Sequence, residues 1–191
     1  MSNKPLLTLN EIEDAAVRIR GHVVRTPCIP SYSVEKHSRT PFYLKLETTQ
    51  PTGAFKLRGA TNHILSLSAE ECERGVTACS TGNHGKAVAY AAANRGIRAV
   101  ICMSKLVPDN KVDAVKALGA EVRIIGESQD DAQVEMDRLV AEDNMIPIPP
   151  FDCRRVIAGQ GTIGLELLED IAELDAVLIP LSGGGLMAGV A

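Results

Sequence analysis

The sequence predicts an α/β protein in which helices flank a parallel β-sheet. Between residues 75 and 148, short apolar segments alternate with helical stretches of about 10–15 residues, the order expected of consecutive βαβ units. The composition agrees with a folded chain, because 45% of the 191 residues are apolar and 23% are charged. That length is sufficient to bury the core of one domain or of two small ones.

The segment before residue 75 is predicted to contain helices and one strand. Thr8-Leu-Asn-Glu11 is a capping-box pattern, which predicts a helix of about three turns. Residues 41–47 alternate apolar and polar side chains and predict a strand. A helix is predicted over 55–67, followed by a shorter one over 68–74 that Gly75 ends.

From residue 75 onward, strands and helices alternate in βα units. The predicted strands lie at 75–79, 98–103, 121–125 and 145–148, and the predicted helices between them end at Gly96, cover 108–118 and cover 129–142. A proline cluster at 147–150 indicates a boundary near residue 150. Beyond it we predict a helix over 162–171 and a strand over 176–181.

Charge and aromatic content argue against several kinds of partner. The formal net charge is −4 and no block of Lys and Arg occurs, which disfavours a nucleic-acid or anionic-membrane surface. Aromatic residues make up 3% of the chain, with no Trp, which disfavours modules that stack bases or sugars. No apolar run approaches the ~20 residues of a membrane span, and Met1–Thr8 lacks a signal-peptide pattern. We therefore expect a cytoplasmic protein whose partner is a small molecule, with no nucleic acid and no membrane.

The cysteines predict free thiols rather than a disulfide framework or a metal site. They stand at positions 28, 72, 79, 102 and 153, an odd number with no C-x-x-C or zinc-finger spacing. Cys79 and Cys102 lie within apolar runs and are expected in the core. A reducing compartment fits this usage, and the sequence offers no metal ligands that can be named.

A glycine-rich segment lies where open α/β sheets bind their ligands, after the carboxyl end of a strand. Ser182-Gly-Gly-Gly-Leu186 directly follows the predicted strand over 176–181. Consecutive glycines let backbone N–H groups approach an anion closely. The residues predicted to bind a phosphate are Ser182, Gly183, Gly184, Gly185 and Leu186.

Two weaker glycine patterns leave a nicotinamide cofactor open. Gly159-Gln-Gly-Thr-Ile-Gly164 fits G-x-G-x-x-G, and 183–188 fits the variant that ends in alanine. The first pattern does not clearly follow a strand, and Asp175 precedes the next strand instead of ending one. An NAD-dependent oxidoreductase is therefore an alternative interpretation.

Two further loops carry groups suited to chemistry. Ser80-Thr-Gly-Asn-His-Gly-Lys86 begins a predicted helix and offers groups for a carboxylate or a polar ring substituent, although a helix cap explains this segment slightly better when it is taken alone. In Thr52-Gly-Ala-Phe-Lys-Leu-Arg-Gly59, Lys56 begins a predicted helix. The helix dipole disfavours the charge of a lysine there, and burial would lower its pKa further. Such an amine is a nucleophile or a general base.

Together these segments resemble the fold-type-II pyridoxal-phosphate enzymes, which include threonine/serine dehydratases and serine racemase. Ala54-Phe-Lys-Leu-Arg-Gly59 is similar to the Schiff-base lysine motif of that family, with Ala54 in place of the usual serine. Ser80–Gly85 is similar to its asparagine loop, and Ser182–Leu186 to its phosphate loop with serine as the first residue. Residues 156–162 match a further family segment. The resemblance covers nearly the whole chain and implies a tryptophan synthase β-like fold with pyridoxal 5′-phosphate as cofactor.

The resemblance also implies roles for individual residues. Lys56 would bind the cofactor covalently and remove the substrate α-proton, Phe55 would pack near the ring, and Asn83 would hydrogen-bond the 3′-oxygen of the ring. Thr81 stands where serine racemases carry the serine that acts as a base on the opposite face, and its hydroxyl could serve the same role. The residues implied to hold the substrate carboxylate are Ser80, Thr81, Gly82, Asn83 and His84.

The implied reaction removes water from a β-hydroxy α-amino acid. The resulting enamine hydrolyses to a keto acid and ammonia. Residues 98–104, 107–112 and 128–133 look most like the hydroxyectoine-utilisation dehydratases, which implies a place in amino-acid metabolism and ectoine degradation. Candidate substrates are therefore a hydroxyectoine-derived hydroxy-diaminobutyrate, threonine and serine. A serine/threonine racemase and an inactive fragment are the alternatives within the same family.

Family members continue after the glycine loop with a second run of strands and helices. We therefore expect the chain to be the front part of a longer two-domain enzyme that is a homodimer at full length. Residues 1–71 would begin the large domain and contain the Schiff-base lysine, 72–150 would form the small domain, and 151–191 would resume the large domain with the phosphate loop. The large domain is thus expected to be incomplete.

Overall fold

The computed structural model describes residues 7–191. The segment whose sequence shows no signal-peptide pattern, Met1–Thr8, lies mostly outside the described residues. Helix α1 (Leu9–Ile19) begins at the predicted capping box, where the Glu11 carboxylate accepts hydrogen bonds from the Thr8 N–H at 2.9 Å and from the Thr8 hydroxyl at 2.8 Å.

An arm with one short antiparallel strand pair connects α1 to the following helices. Its elements, in order, are β1 (Cys28–Pro30), α2 (Tyr32–Ser38), β2 (Tyr43–Lys45), a 3-10 turn (Glu47–Thr49), α3 (Lys56–Leu65) and α4 (Ala69–Arg74). The predictions of β2, α3 and α4 are confirmed, whereas β1 and α2 were not predicted. Proline is tolerated in a short edge strand, so Pro30 does not exclude β1.

A four-stranded parallel sheet forms the centre of the described chain. Its strands are β3 (Val76–Cys79), β4 (Ala99–Met103), β5 (Glu121–Ile124) and β6 (Ile146–Pro147), in the order β5-β4-β3-β6. The connecting helices are α5 (Asn83–Arg95), α6 (Asp109–Lys116) and α7 (Gln129–Glu142). This arrangement confirms the predicted α/β class and the predicted βα units. Every residue of β3 and β4 is buried, which explains their unbroken apolar sequences.

Each face of the sheet packs on helices. The larger apolar cluster joins α3, α5 and α6 to one face and includes Leu57, Ile64, Val88 and Ile101. The smaller cluster lies under α7 on the other face. It contains Cys79, Val100, Cys102, Ala132, Leu139 and Met145. The prediction that Cys79 and Cys102 are core residues is thus confirmed, and all five cysteines are free.

The prediction of a helix over 162–171 is wrong at its start. Helix α8 runs from Arg154 to Asp170 and contains the whole glycine pattern of 159–164. A Cβ at Gly159 would lie 2.7 Å from the Arg58 carbonyl oxygen and 2.7 Å from the Gly59 Cα, so this glycine lets α8 approach α3 closely. The pattern therefore serves helix packing and does not form the strand-to-helix turn of a dinucleotide site.

The strand predicted over 176–181 is also not formed. Residues 174–181 are outside any helix or strand, and among the described residues no strand pairs with them. Leu178 is 80% exposed and Leu181 is 69% exposed, so the apolar pattern lacks the neighbour that a strand requires. The chain then passes through the glycine segment into α9 (Gly185–Val190), which packs on α8.

Two further predictions concern membrane-spanning segments and the division of the chain into domains. Within residues 7–191, no helix is long and apolar enough to cross a membrane. The sheet lies entirely within 72–150, but α3 packs on α5 as well as on α8. The division of the chain at residues 71 and 150 therefore stays a prediction.

Candidate active site

A cavity of about 260 Å³ lies between the start of α3 and the segment that precedes α9. Residues that are more than 120 positions apart in the sequence meet there. They are Phe55, Lys56, Pro150, Phe151, Gln160 and residues 180–186. The cavity thus brings together two of the three sequence motifs, the lysine motif and the glycine segment.

Lys56 is the first residue of α3, and its amine is half-buried at the cavity. Its Nζ donates a hydrogen bond to the Pro150 carbonyl oxygen and lies 5.4 Å from the centre of the Phe55 ring. Burial lowers the pKa of this amine, because the ammonium form loses hydration. A larger neutral fraction makes Nζ a better nucleophile and base.

Arg58, two residues after Lys56, fixes the beginning of α3. Its side chain is fully buried and donates to the Glu47 carboxylate at 2.8 and 2.9 Å and to the Glu166 carboxylate at 2.6 and 2.9 Å. Burial opposes its charge, but the hydrogen bonds to Glu47 and Glu166 outweigh this effect and raise its pKa. Lys45 also pairs with Glu166, at 2.7 Å. The network connects the arm, α3 and α8, so the lysine is presented from a rigid support.

The glycine segment has the features of an anion cradle. Gly184 has φ +83°, a left-handed conformation that favours glycine. A Cβ at Gly183 would lie 2.4 Å from the Phe151 ring, and one at Gly185 would lie 2.7 Å from the Phe151 carbonyl oxygen. Among the described residues, the backbone N–H groups of 182–186 donate to no protein acceptor. They remain available to an anion in the cavity.

The Ser80–His84 loop connects β3 to α5 and does not line this cavity. Ser80, Thr81 and Gly82 are partly exposed and Asn83 is exposed, whereas His84 is 3% exposed. The His84 Nε2–H donates to the Ile148 carbonyl oxygen at 2.7 Å, while Nδ1 has no partner in the described part of the chain. Burial first, and the nearby Lys56 charge further, lower the pKa of His84 to about 4. His84 is therefore a neutral, buried member of this loop at neutral pH.

Residues 148–153, which we call the junction segment, connect the sheet to α8. Three side chains contact this segment. The Lys56 ammonium or amine donates to Pro150, His84 donates to Ile148, and the His63 Nδ1 lies 3.6 Å from the Cys153 Sγ. The junction segment thus ties the lysine of α3 to the first turn of α5, which carries the third sequence motif.

A second cavity, of about 330 Å³, lies between α1 and α8 and contains none of the predicted site residues. Three of its four charged side chains already have partners, since Arg25 pairs with Glu169 and Glu166 pairs with Arg58. We therefore place the candidate site at the smaller cavity. Within residues 7–191, no group of three His, Cys, Asp or Glu side chains is arranged to hold a metal ion.

Residues 19–191 match the family model described as pyridoxal-phosphate dependent enzyme. The chain belongs to this pyridoxal-phosphate dependent enzyme family. Within it, the chain is 58% identical over 185 residues to a putative threonine dehydratase of Sinorhizobium fredii, covering 97% of this chain and 56% of that protein. It is 42% identical to a catabolic L-threonine dehydratase of Staphylococcus aureus, covering 97% and 54%.

Solved structures of the family agree with the fold. Maize serine racemase superposes with a TM-score of 0.94 at 38% identity, covering 98% of this chain and 57% of that one. Threonine deaminase isoform 2 of Solanum lycopersicum superposes with a TM-score of 0.89 at 39% identity, covering 99% and 54%. The chain thus spans just over half the length of the relatives that it matches. The predicted fold-type-II class is confirmed.

The described residues fit the family's cofactor. Pyridoxal phosphate needs an amine for its aldehyde and donors for its phosphate, and the cavity offers the Lys56 Nζ and the free N–H groups of 182–186. Sequence reasoning missed Pro150, Phe151 and Gln160, because their place at the cavity depends on how α8 packs. The match of residues 156–162 to the family was the signal that could have drawn attention to Gln160.

Proposed function

We propose that this chain provides the lysine and phosphate-binding side of a lyase that removes water from a β-hydroxy α-amino acid. The observation that carries the proposal is the shared cavity of Lys56 and the Ser182–Leu186 segment. An amine whose charge is disfavoured by burial shares this cavity with backbone N–H groups that donate to no protein acceptor among the described residues. The names of relatives, threonine dehydratase and threonine deaminase, support the same reaction class.

The residues at the cavity have different roles in the proposed reaction. Bound pyridoxal phosphate supplies an electron sink for the pair left behind when the substrate α-proton leaves. Lys56 would hold the cofactor through Nζ, and the same atom, when it is free, would take the substrate α-proton. The α-proton and the β-hydroxyl leave as water, and hydrolysis of the remaining enamine gives a keto acid and ammonia. The Ser182–Leu186 segment binds the phosphate, and Phe55 packs beside the ring.

The Ser80–His84 loop is assigned to substrate binding in this proposal. Ser80, Thr81, Gly82 and Asn83 are at least partly exposed at the start of α5 and can offer hydroxyl, amide and N–H donors to a carboxylate. The buried His84 anchors the loop through its hydrogen bond to the Ile148 carbonyl oxygen. Asn83 is also assigned to the ring 3′-oxygen, and Thr81 to acid–base chemistry on the opposite face.

The substrate and the setting belong to the same proposal. A hydroxyectoine-derived hydroxy-diaminobutyrate, threonine and serine all carry the β-hydroxyl that elimination requires. A homodimer is proposed for the full-length enzyme, and the five free cysteines fit the proposed cytoplasmic location. A racemase is the second candidate, favoured by the close superposition on maize serine racemase, whereas the threonine at position 81, where serine racemases carry a serine, argues against it.

The test is spectroscopic and then chemical. With pyridoxal phosphate supplied, we expect an absorbance band from the lysine–cofactor imine that Lys56→Ala abolishes. Lys116→Ala, an exposed lysine on α6, is the matched control and should keep the band. A protein that shows no band dependent on Lys56 would contradict the proposal, and binding of NAD instead would favour an oxidoreductase.

Substrate assays then separate the candidates. Each β-hydroxy amino acid is supplied in turn and keto acid and ammonia are measured. We expect release from at least one of them and none with Lys56→Ala. Interconversion of L- and D-serine without keto acid would favour the racemase instead.

A further inference from the structure

Gln160 carries a buried amide group that no role assigned above uses. The residue lies on α8 and is 2% exposed. Its Oε1 accepts a hydrogen bond from the Gly59 N–H at 3.3 Å. Because a backbone N–H can only donate, this contact fixes which end of the amide is the oxygen. The Nε2 group is buried and has no acceptor among the described residues.

A buried donor without an acceptor is costly, and native proteins rarely retain one without a reason. Gln160 forms part of the wall of the cavity that Lys56 and residues 182–186 share. The group that fills this cavity can therefore supply the missing acceptor. The amide also packs closely on Gly59, since a Cβ at this residue would lie 2.4 Å from the Gln160 Nε2.

We propose that the Gln160 Nε2 donates a hydrogen bond to the phosphate of bound pyridoxal phosphate. This inference rests on the proposed function, because it requires the cofactor in this cavity. The phosphate is the favoured acceptor because it carries negative charge and several free oxygens, and hydrogen bonds to charged groups are the stronger ones. The residues proposed to bind it, 182–186, line the cavity together with Gln160.

The same side chain connects the phosphate to the lysine. Gly59 is in the first turn of α3, three residues after Lys56, and its N–H is held by Gln160. One amide thus contacts the helix that carries the reactive amine and, in the proposal, the phosphate of the cofactor. Gln160 is therefore a positioning residue that sets the distance between the phosphate and Lys56.

The test compares two ligands that differ only in the phosphate. Pyridoxal phosphate and pyridoxal are titrated into wild-type protein, Gln160→Glu and Gln160→Met, and binding is followed through the imine absorbance. Gln160→Glu keeps an oxygen for the Gly59 N–H but puts a carboxyl group where the donor was. Gln160→Met removes the amide at similar length. We expect both variants to weaken pyridoxal phosphate about tenfold or more and to change pyridoxal binding less than about twofold.

The ³¹P NMR shift of the bound phosphate provides a readout independent of affinity and activity, and we expect it to change in both variants. Gln133→Glu, on α7 and bonded to Asp137 at 2.8 Å, is the matched control and should change neither quantity. Thermal unfolding without ligand checks that each variant folds.

Three outcomes are distinguishable. Loss confined to the phosphorylated ligand supports the contact. Equal weakening of both ligands, or an unchanged affinity for pyridoxal phosphate with an unchanged ³¹P shift, overturns it and leaves the proposed function intact. A wild-type protein with no Lys56-dependent band fails the proposed function itself, before any Gln160 variant is compared.

Discussion

Residues 76–147, the sheet region, and residues 151–191, the helical region, are built on different principles. In the sheet region each apolar run finds a neighbouring strand, so β3 and β4 are completely buried. In the helical region, glycines allow backbones to touch, and an apolar run without a neighbouring strand stays exposed. The comparison shows that an apolar run of the kind that predicts a strand is buried where a neighbouring strand pairs with it and stays exposed where none does.

The two regions also use glycine differently. Gly75, just before the sheet region, and Gly96, within it, have positive φ and end helices, as their sequence positions predict. In α8 of the helical region, Gly159 and Gly161 have ordinary helical backbones but lack room for a side chain. Helical propensity disfavours these glycines, so close packing must outweigh it.

A large effect on the free energy of unfolding is expected from adding one methyl group at the contact of α3 and α8. In Gly159→Ala the new Cβ would lie 2.7 Å from the Arg58 carbonyl oxygen and from the Gly59 Cα, and backbone atoms cannot move aside easily. We expect a loss of about 2–3 kcal/mol in the free energy of unfolding, after the ~1 kcal/mol that alanine gains in a helix. Urea denaturation followed by circular dichroism measures it.

Gly164→Ala is the matched control on the same helix. Its Cβ would lie 3.2 Å from the Val190 carbonyl oxygen, a contact that a shift of a few tenths of an ångström relieves. We expect a change of less than about 1 kcal/mol in either direction. Equal losses for the two variants would show that Gly159 is not more closely packed than Gly164.

The predictability of the fold follows the same division. Periodicity and caps were sufficient for the sheet region because each strand and helix there is specified by nearby residues, as at Ser128, which caps α7. Periodicity and caps did not predict the start of α8, because the glycine spacing of a closely packed helix looks the same in the sequence as that of a ligand-binding loop. They failed at 176–181, because a strand depends on a partner that local sequence does not describe.

The candidate site was predictable in its residue types and not in its geometry. Lys56 and the glycine segment could be chosen from the sequence because each begins a helix and each carries a recognisable pattern. Their meeting in one cavity depends on α8 packing against both α3 and α9. For the same reason the place of Gln160 at the cavity could not be predicted, although the resemblance of residues 156–162 to the family drew attention to its segment.

An intermediate effect is expected from pH at the junction between the two regions. Burial, the larger cause in each case, lowers the pKa of His63 and of His84 to about 4, from 6.5. Both residues contact the junction segment. Below pH 6.5 the two histidines become protonated in the unfolded chain but stay neutral in the folded chain. The free energy of unfolding is therefore highest above pH 6.5 and decreases as the pH falls toward 4.

Each histidine contributes a slope of up to about 1.4 kcal/mol per pH unit in this window. His84→Gln and His63→Gln should each remove about half of the joint slope, and the double variant most of it. Urea denaturation at pH 7, 6, 5 and 4.5 measures these slopes. An unchanged slope in both single variants would mean that neither histidine stays neutral in the folded protein.

The smallest effect on the free energy of unfolding is expected at residues 176–181, the apolar run that pairs with no strand among the described residues. Leu178 is 80% exposed and Ile101 of β4 is fully buried, although the sequence predicts a strand for both. Leu178→Ala should change the free energy of unfolding by less than about 0.5 kcal/mol, whereas Ile101→Ala should cost about 2–5 kcal/mol. A loss above ~1 kcal/mol for Leu178→Ala would show that this segment is covered in solution. The difference between the two losses therefore reports how strongly burial against neighbouring elements, and not the local apolar pattern, determines the contribution of each side chain to stability.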